Sequence, residues 1–169
     1  MDDTRVIVRA IGESAGSAAT AVINTAAEWY REFLPPSELH EPEMTPAGWA
    51  EEAQLMTWYG AFDGSDLVGV IGLEYAGDAA LLRHAYVLPD HQRQGVAALL
   101  VNQLEREIEG VDTIIVGTYT ANYKARAAFE KAGYQLSQDS EAVLRRYYDI
   151  PEDRLQSSVT YEKRLDRER

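Results

Sequence analysis

The chain has 169 residues, with 28 Asp and Glu against 16 Lys and Arg, so its formal charge is −12 and its 46% hydrophobic content is that of a folded globular protein. It has no cysteine, which excludes disulfides, thiolate metal sites and cysteine nucleophiles, and its charge opposes binding to nucleic acid. Met1-Asp2-Asp3 is acidic where a secretory leader is basic, and no apolar run approaches the ~20 residues that span a bilayer, so a cytoplasmic protein without membrane contact is expected.

Thr4 to Arg9 mixes β-branched and polar residues as a first strand does. From Ser14 to Phe33, Ala18, Val22, Ala26, Trp29, Tyr30 and Phe33 recur at helical spacing until Pro35-Pro36 stops them. A loop with His40, Glu41 and Glu43 leads to Thr45-Pro46, an N-cap and first-turn proline that open a short helix to about Leu55. Thr57 to Phe62 and Leu67 to Tyr75 are β-rich runs joined by Asp63-Gly64-Ser65-Asp66, which predicts a hairpin.

Ala80 to Leu88 reads as the next strand, closed by Pro89. Val96, Leu99, Leu100, Leu104 and Ile108 form one stripe of a helix that Gly110 can end. Thr113 to Tyr119 is an unbroken β-rich run, as for a strand buried on both faces. A helix from Asn122 to Ala132 ends at Gly133, Tyr134 to Ser137 is a strand, and a polar link with Pro151 precedes a last strand from Ser158 to Lys163. The pattern is that of one α/β domain over residues 1–165 with a mixed sheet, and the charged residues 166–169 form a tail.

Strand, turn, helix and strand from Leu81 through Tyr119 make a crossover that brings a helix N-terminus close to a strand end. The turn is Asp90-His91-Gln92-Arg93-Gln94-Gly95-Val96-Ala97. Gly95 admits a ligand to the backbone, Ala97 is small, and the first helical turn leaves N–H donors unpaired, which suits a phosphate or pyrophosphate. A glycine before a helix also serves as a plain turn, and the segment is neither a Walker loop nor a dinucleotide fingerprint.

Val87-Leu88-Pro89 followed by this turn resembles the acyl-CoA motif of the GNAT superfamily of N-acetyltransferases, Gln/Arg-x-x-Gly-x-Gly/Ala, with Gln92, Gly95 and Ala97 in its three defined positions. Asn122-x-x-Ala125 with Phe129-Glu130-Lys131-Ala132-Gly133-Tyr134 resembles the family's second motif, and two motifs in the right order are far more specific than either alone. The resemblance runs from about Asp63 to Tyr134 and implies a central mixed, mostly antiparallel sheet of six to seven strands flanked by about four helices. It implies acetyl-CoA as cosubstrate, held by the backbone of Gln92, Arg93, Gln94, Gly95, Val96 and Ala97, by the strand edge at Val87 and Leu88, and by Asn122, Arg126 and Phe129. Arg93, Lys124 and Arg126 are the nearest cations for its phosphates, or else solvated helix residues.

The sequence departs from the family at two points. Many members have a tyrosine at the position of Phe129 to protonate the departing thiolate; Tyr119 and Tyr123 are the nearest substitutes here. Histone-acetylating members carry a glutamate where Leu81 stands, so the base is His84 or Glu74, each alternatively a hydrogen-bonded sheet residue. Arg83 orients the acceptor or pairs with a carboxylate, and the carboxylates of Glu41 and Glu43, beside His40, would attract a cationic amine. His40, His84 and His91 have no paired spacing, so no metal is expected. The expected activity is transfer of an acetyl group to a primary amine of a small molecule or protein terminus, by direct attack through a tetrahedral intermediate. Phe129 and the missing carboxylate motivate the alternative of an inert CoA-binding or sensing module, and a homodimer stays open.

Overall fold

Residues 6–166 are described by the computed structural model; Thr4 and Arg5 of the expected first strand and residues 167–169 of the expected tail lie outside them. The strands are β1 (Val6–Ile11), β2 (Thr57–Asp63), β3 (Asp66–Ala76), β4 (Ala79–Val87), β5 (Thr113–Tyr119), β6 (Gln135–Leu136) and β7 (Ser158–Arg164). The α-helices are α1 (Gly16–Ala27), α2 (Pro46–Ala53), α3 (Val96–Glu107), α4 (Tyr123–Lys131), α5 (Ser140–Tyr147) and α6 (Glu152–Leu155). The seven strands form one mixed sheet in the order β1-β2-β3-β4-β5-β7-β6. By internal packing the chain divides into two units: residues up to Glu74 with His84–Glu107, and Tyr75–Arg83 with Ile108 onward. No helix among the described residues is long and apolar enough to cross a membrane.

In the first unit β1 pairs antiparallel with β2, from Val6 opposite Asp63 to Ile11 opposite Trp58, and β2 pairs antiparallel with β3. The expected hairpin turn is present, with Gly64 at φ +65°. The predicted first helix is regular only to Ala27; Glu28–Glu32 tightens to a 3-10 turn. Its partner α2 starts as the sequence indicates, with Thr45 Oγ1 accepting from Gly48 N–H at 3.0 Å. Trp49 on α2 and Trp58 on β2 are fully buried with ring centroids 5.2 Å apart. Each such ring removes roughly 150–250 Å² from water, an upper bound of about 4–6 kcal/mol at ~25 cal/mol per Å². Helix α3 lies directly on β3: a Cβ on Gly69 would sit 3.1 Å from Leu100 and 3.3 Å from Val96, so glycine sets how closely the two approach.

In the second unit, Ala79–Leu82 of β4 pairs parallel with Thr113–Val116 of β5, and β7 pairs antiparallel with both β5 and β6. Helix α4 closes at Gly133, φ +96°, with Tyr134 N–H donating to Phe129 O at 2.9 Å. The segment read as a polar link holds two helices instead. Asp139 caps α5 by accepting from Ala142 N–H at 3.0 Å, and Arg145 pairs with Glu141 one turn back in α5 and ties α5 to α6 through Glu152. Ser140 accepts from the amide of Thr160 on β7, while the buried Thr160 hydroxyl donates to Ser137, which donates to Glu162.

Candidate active site

In the first unit, β4 delivers the chain to the turn that the sequence singles out. Leu88 N–H donates to Val68 O at 2.9 Å, the last tie before Pro89–His91 winds a 3-10 turn. The Gln92 side-chain amide reaches back and donates to Val87 O at 2.9 Å, and Gln94 does the same to Asp90 O at 3.2 Å. His91 Nε2 lies 3.1 Å from Asp63 Oδ2 on the β2–β3 turn. Two half-buried side chains, Gln92 and His91, and the exposed Gln94 therefore fix the loop, and its shape is set before any ligand arrives.

Two residues of the turn are left-handed, Arg93 at φ +66° and Gly95 at φ +84°. Glycine adopts this conformation at no steric cost, while Arg93 stores strain on the order of 1–3 kcal/mol, the kind that gathers at functional turns. Leu99 N–H donates to Gly95 O at 3.0 Å, so the amides of Val96, Ala97 and Ala98 precede the first bond inside α3. A Cβ on Gly95 would meet nothing within 4 Å, and Arg93, Gln94, Gly95, Ala97 and Ala98 are all exposed. The corner is an open, preshaped helix N-terminus with the positive end of a twelve-residue helix behind it.

Upstream on β4, His84 departs from strand geometry with φ +55°. Its ring stacks on Trp58 at 5.4 Å and 19°, and its Nε2 stands 2.6 Å from Glu52 Oε1 of α2, a close ion-pair distance outside hydrogen-bond angles. Tyr86, two residues on, shares a hydroxyl contact of 3.0 Å with Tyr30. Glu74 and Arg83 are half-buried. The loop carrying His40, Glu41 and Glu43 borders a cavity of about 140 Å³ with Asn24 and Glu28, and Glu41 there binds Arg31 at 2.7 Å.

In the second unit, Asn122 is buried and bonded at both ends of its amide: Oδ1 accepts from Ala125 N–H at 3.2 Å and Nδ2 donates to Thr118 Oγ1 at 3.2 Å. Arg126 donates to Tyr161 OH at 2.9 Å and to Thr120 O at 2.8 Å. Phe129 is buried, with the rings of Tyr134 and Tyr161 each 6.1 Å away. Tyr119 ends β5, opposite Ser158, and its carbonyl accepts from Asn122 N–H; Tyr123 and Lys124 are exposed at the start of α4.

The model of the acetyltransferase (GNAT) family matches residues 23–134, a span containing both the corner after Pro89 and the helix begun by Asn122. The chain belongs to the acetyltransferase (GNAT) family. No curated protein matches this GNAT chain in sequence. Among solved structures it is similar to a PaiA N-acetyltransferase from Thermoplasma acidophilum in complex with coenzyme A, at 16% identity and TM-score 0.78, over 95% of this chain and 99% of that one. It is similar to the ribosomal-protein-S18-alanine N-acetyltransferase of Escherichia coli, at 17% identity and TM-score 0.67, over 95% and 94% of the two chains. It is also similar to N-acetylglutamate synthase from Neisseria gonorrhoeae, complexed with coenzyme A and N-acetyl-glutamate, at 17% identity and TM-score 0.70; it covers 98% of this chain but 36% of that one. Identities this low establish a shared fold.

The fold shows two features around His84 that the sequence did not reveal. Glu52 is 32 positions from His84, with no local signal joining them, and the left-handed turn at His84 interrupts a run that reads as plain strand. Among the described residues no group of three or more His, Asp or Glu is arranged to hold a metal ion.

Proposed function

We propose that this protein transfers the acetyl group of acetyl-CoA to the primary amine of a small molecule or protein terminus. The observation that carries the reading is the corner from Gln92 to Ala97: a fixed loop, two left-handed residues, and open space over Gly95 in front of three unbonded helix-start amides. Those amides and the helix dipole suit the pyrophosphate of coenzyme A better than an uncharged ligand. Backbone groups of β4 up to Val87 are assigned to the pantetheine arm; the expected part of Leu88 is withdrawn, because its N–H is bonded to Val68 O and its carbonyl accepts from His91 N–H, and the Gln92 bond to Val87 O fixes where the edge ends. Asn122, Arg126 and Phe129 are assigned to the coenzyme on the family resemblance, and Tyr119 to the departing thiolate.

The reaction is direct. The amine nitrogen attacks the thioester carbon, gives up a proton, and the tetrahedral intermediate expels the thiolate; positioning of the two substrates supplies most of the rate. Glu28 and Glu43 around the small cavity, with Glu41 there paired to Arg31, favour an acceptor that arrives as an ammonium and releases one proton to water before the neutral amine attacks. Calorimetry with coenzyme A, followed by thiol release from acetyl-CoA over a panel of amines with mass detection of the products, tests the reading. Binding plus acetylated amine is expected. Binding without turnover on a broad panel would replace it with an inert CoA-binding module, a reading that Phe129 motivates; equal binding of ATP would remove the coenzyme preference.

A further inference from the structure

We infer that Glu52 is a positioning residue for His84, and that the pair accepts the acceptor's proton; this rests on the acyl-transfer reading above. The sequence leaves His84 and Glu74 level as candidate bases. The structure separates them by what surrounds His84.

The His84 imidazole is held on two sides. Its face stacks on Trp58, which is 1% exposed, and its Nε2 stands 2.6 Å from Glu52 Oε1, with side-chain exposures of 17% and 30% for the pair. The indole N–H groups of Trp49 and Trp58, both buried, make no hydrogen bond among the described residues, so Trp58 holds the ring by stacking alone and neither indole N–H competes for the carboxylate. The backbone supports the arrangement at a cost: φ +55° at a residue with a Cβ is strained, and such strain is retained when surrounding contacts over-determine it. A histidine serving only to fill a strand needs neither the strained backbone nor a carboxylate partner.

Position along β4 suits the chemistry. His84 lies three residues before the end of β4 at Val87, and a strand rises ~3.3 Å per residue, so it stands roughly 10 Å up the strand from where the chain turns off toward the corner at Gln92–Ala97. A pantetheine chain laid along that strand has a reach of this order and brings its thioester toward His84. Nε2 faces the carboxylate 2.6 Å away, outside hydrogen-bond angles as the pair stands; the inferred working tautomer has its proton on Nε2, turned onto Glu52, and its lone pair on Nδ1. As the amine nitrogen bonds to the carbonyl carbon it passes its proton to Nδ1. The carbon–sulfur bond then breaks, the electron pair leaves with the thiolate, and Glu52 faces the imidazolium that forms. Glu52 touches no reacting atom; it fixes the tautomer and balances the charge, as a carboxylate does behind any histidine base.

The test uses the full chain in two measurements. In the first, imidazole ¹⁵N spectra, assigned with His84→Gln, report the His84 tautomer without any need for turnover; the Nε2–H form is expected in the parent protein. In the second, thiol release with an accepted amine compares the parent with Glu52→Gln. A fall in kcat of about 10-fold or more is expected, with the acetyl-CoA KM and coenzyme affinity within about twofold, since a general base contributes ~10²–10⁴ and its positioning group a part of that. Unchanged kcat in a folded Glu52→Gln, or an Nδ1–H tautomer in the parent, overturns the inference while leaving acyl transfer intact. A parent protein that binds coenzyme A yet acetylates no amine overturns the acyl-transfer reading itself. If Glu52→Gln does not fold, the tautomer of the parent still decides.

Discussion

Replacing Gly95 with aspartate separates what the corner costs the fold from what it gives the ligand. At φ +84° an L-residue pays about 1–2 kcal/mol of steric strain. A carboxylate in front of a helix N-terminus returns roughly 0.3–1 kcal/mol, and a Cβ there meets nothing within 4 Å, so no clash adds to the strain. The net cost is about 1 kcal/mol, a drop in Tm of ~2–4 °C for a chain of this size. The effect on coenzyme binding is far larger: a carboxylate about 4 Å from one phosphate charge, at an effective dielectric constant near 20, opposes binding by about 4 kcal/mol. That is roughly a 10³-fold loss of affinity. Calorimetry with coenzyme A on the parent, Gly95→Ala and Gly95→Asp provides the comparison, with Gly95→Ala expected to match the small Tm drop while losing much less affinity. A Gly95→Asp protein that keeps its Tm within the predicted range and binds coenzyme A within threefold of the parent would refute the assignment of the corner.

Three further outcomes follow from particular contacts. Asn122→Ala removes the bond to Ala125 N–H and should cost about 0.5–2 kcal/mol by thermal melting, whereas Asn122→Ser restores a helix cap; a serine variant that regains stability but not coenzyme affinity would show that the amide serves the ligand as well as the helix. Gly69→Val forces a side chain into the 3.1 Å and 3.3 Å gaps beneath Leu100 and Val96, and overpacking of this kind should destabilise by about 1–3 kcal/mol in a denaturant titration. In the second unit the Tyr147 hydroxyl donates to Asp78, which holds that carboxyl below its ordinary range, with help from Arg146, and raises the phenol. The Asp78 share of stability is present above the unfolded carboxyl's range and is lost as pH falls through the lowered folded value; the Tyr147 share is present below the ordinary phenol range and is lost as pH rises through the raised one. Tyr147→Phe should therefore melt slightly lower than the parent at neutral pH, and the gap should close under strong acid; a constant gap down to pH 2 would contradict the pairing.

Local chemistry decided how much of this was legible. The Thr45-Pro46 helix start, the Asp63-Gly64 hairpin and β5 at Thr113–Tyr119 are fixed within a few neighbouring residues, and the structure has each at its expected place. Helix α5 escaped because its apolar stripe is only two turns long, Leu144 buried with Val143 and Tyr147 partly buried against Ala79, Leu81 and Ile115, and it lies among charged residues that read as a link. The corner at Gly95 was readable for the same reason as the hairpin, since a glycine ahead of a helical stripe is a local pattern. His84 and Glu52 were not, because their relation is made by α2 packing on the Trp49–Trp58 core and by a backbone inversion inside an apolar run. Anion binding needs little more than backbone amides in sequence, and so can be written in one short stretch. A positioned base needs a second group from a distant element, and only the packed core brings the two together.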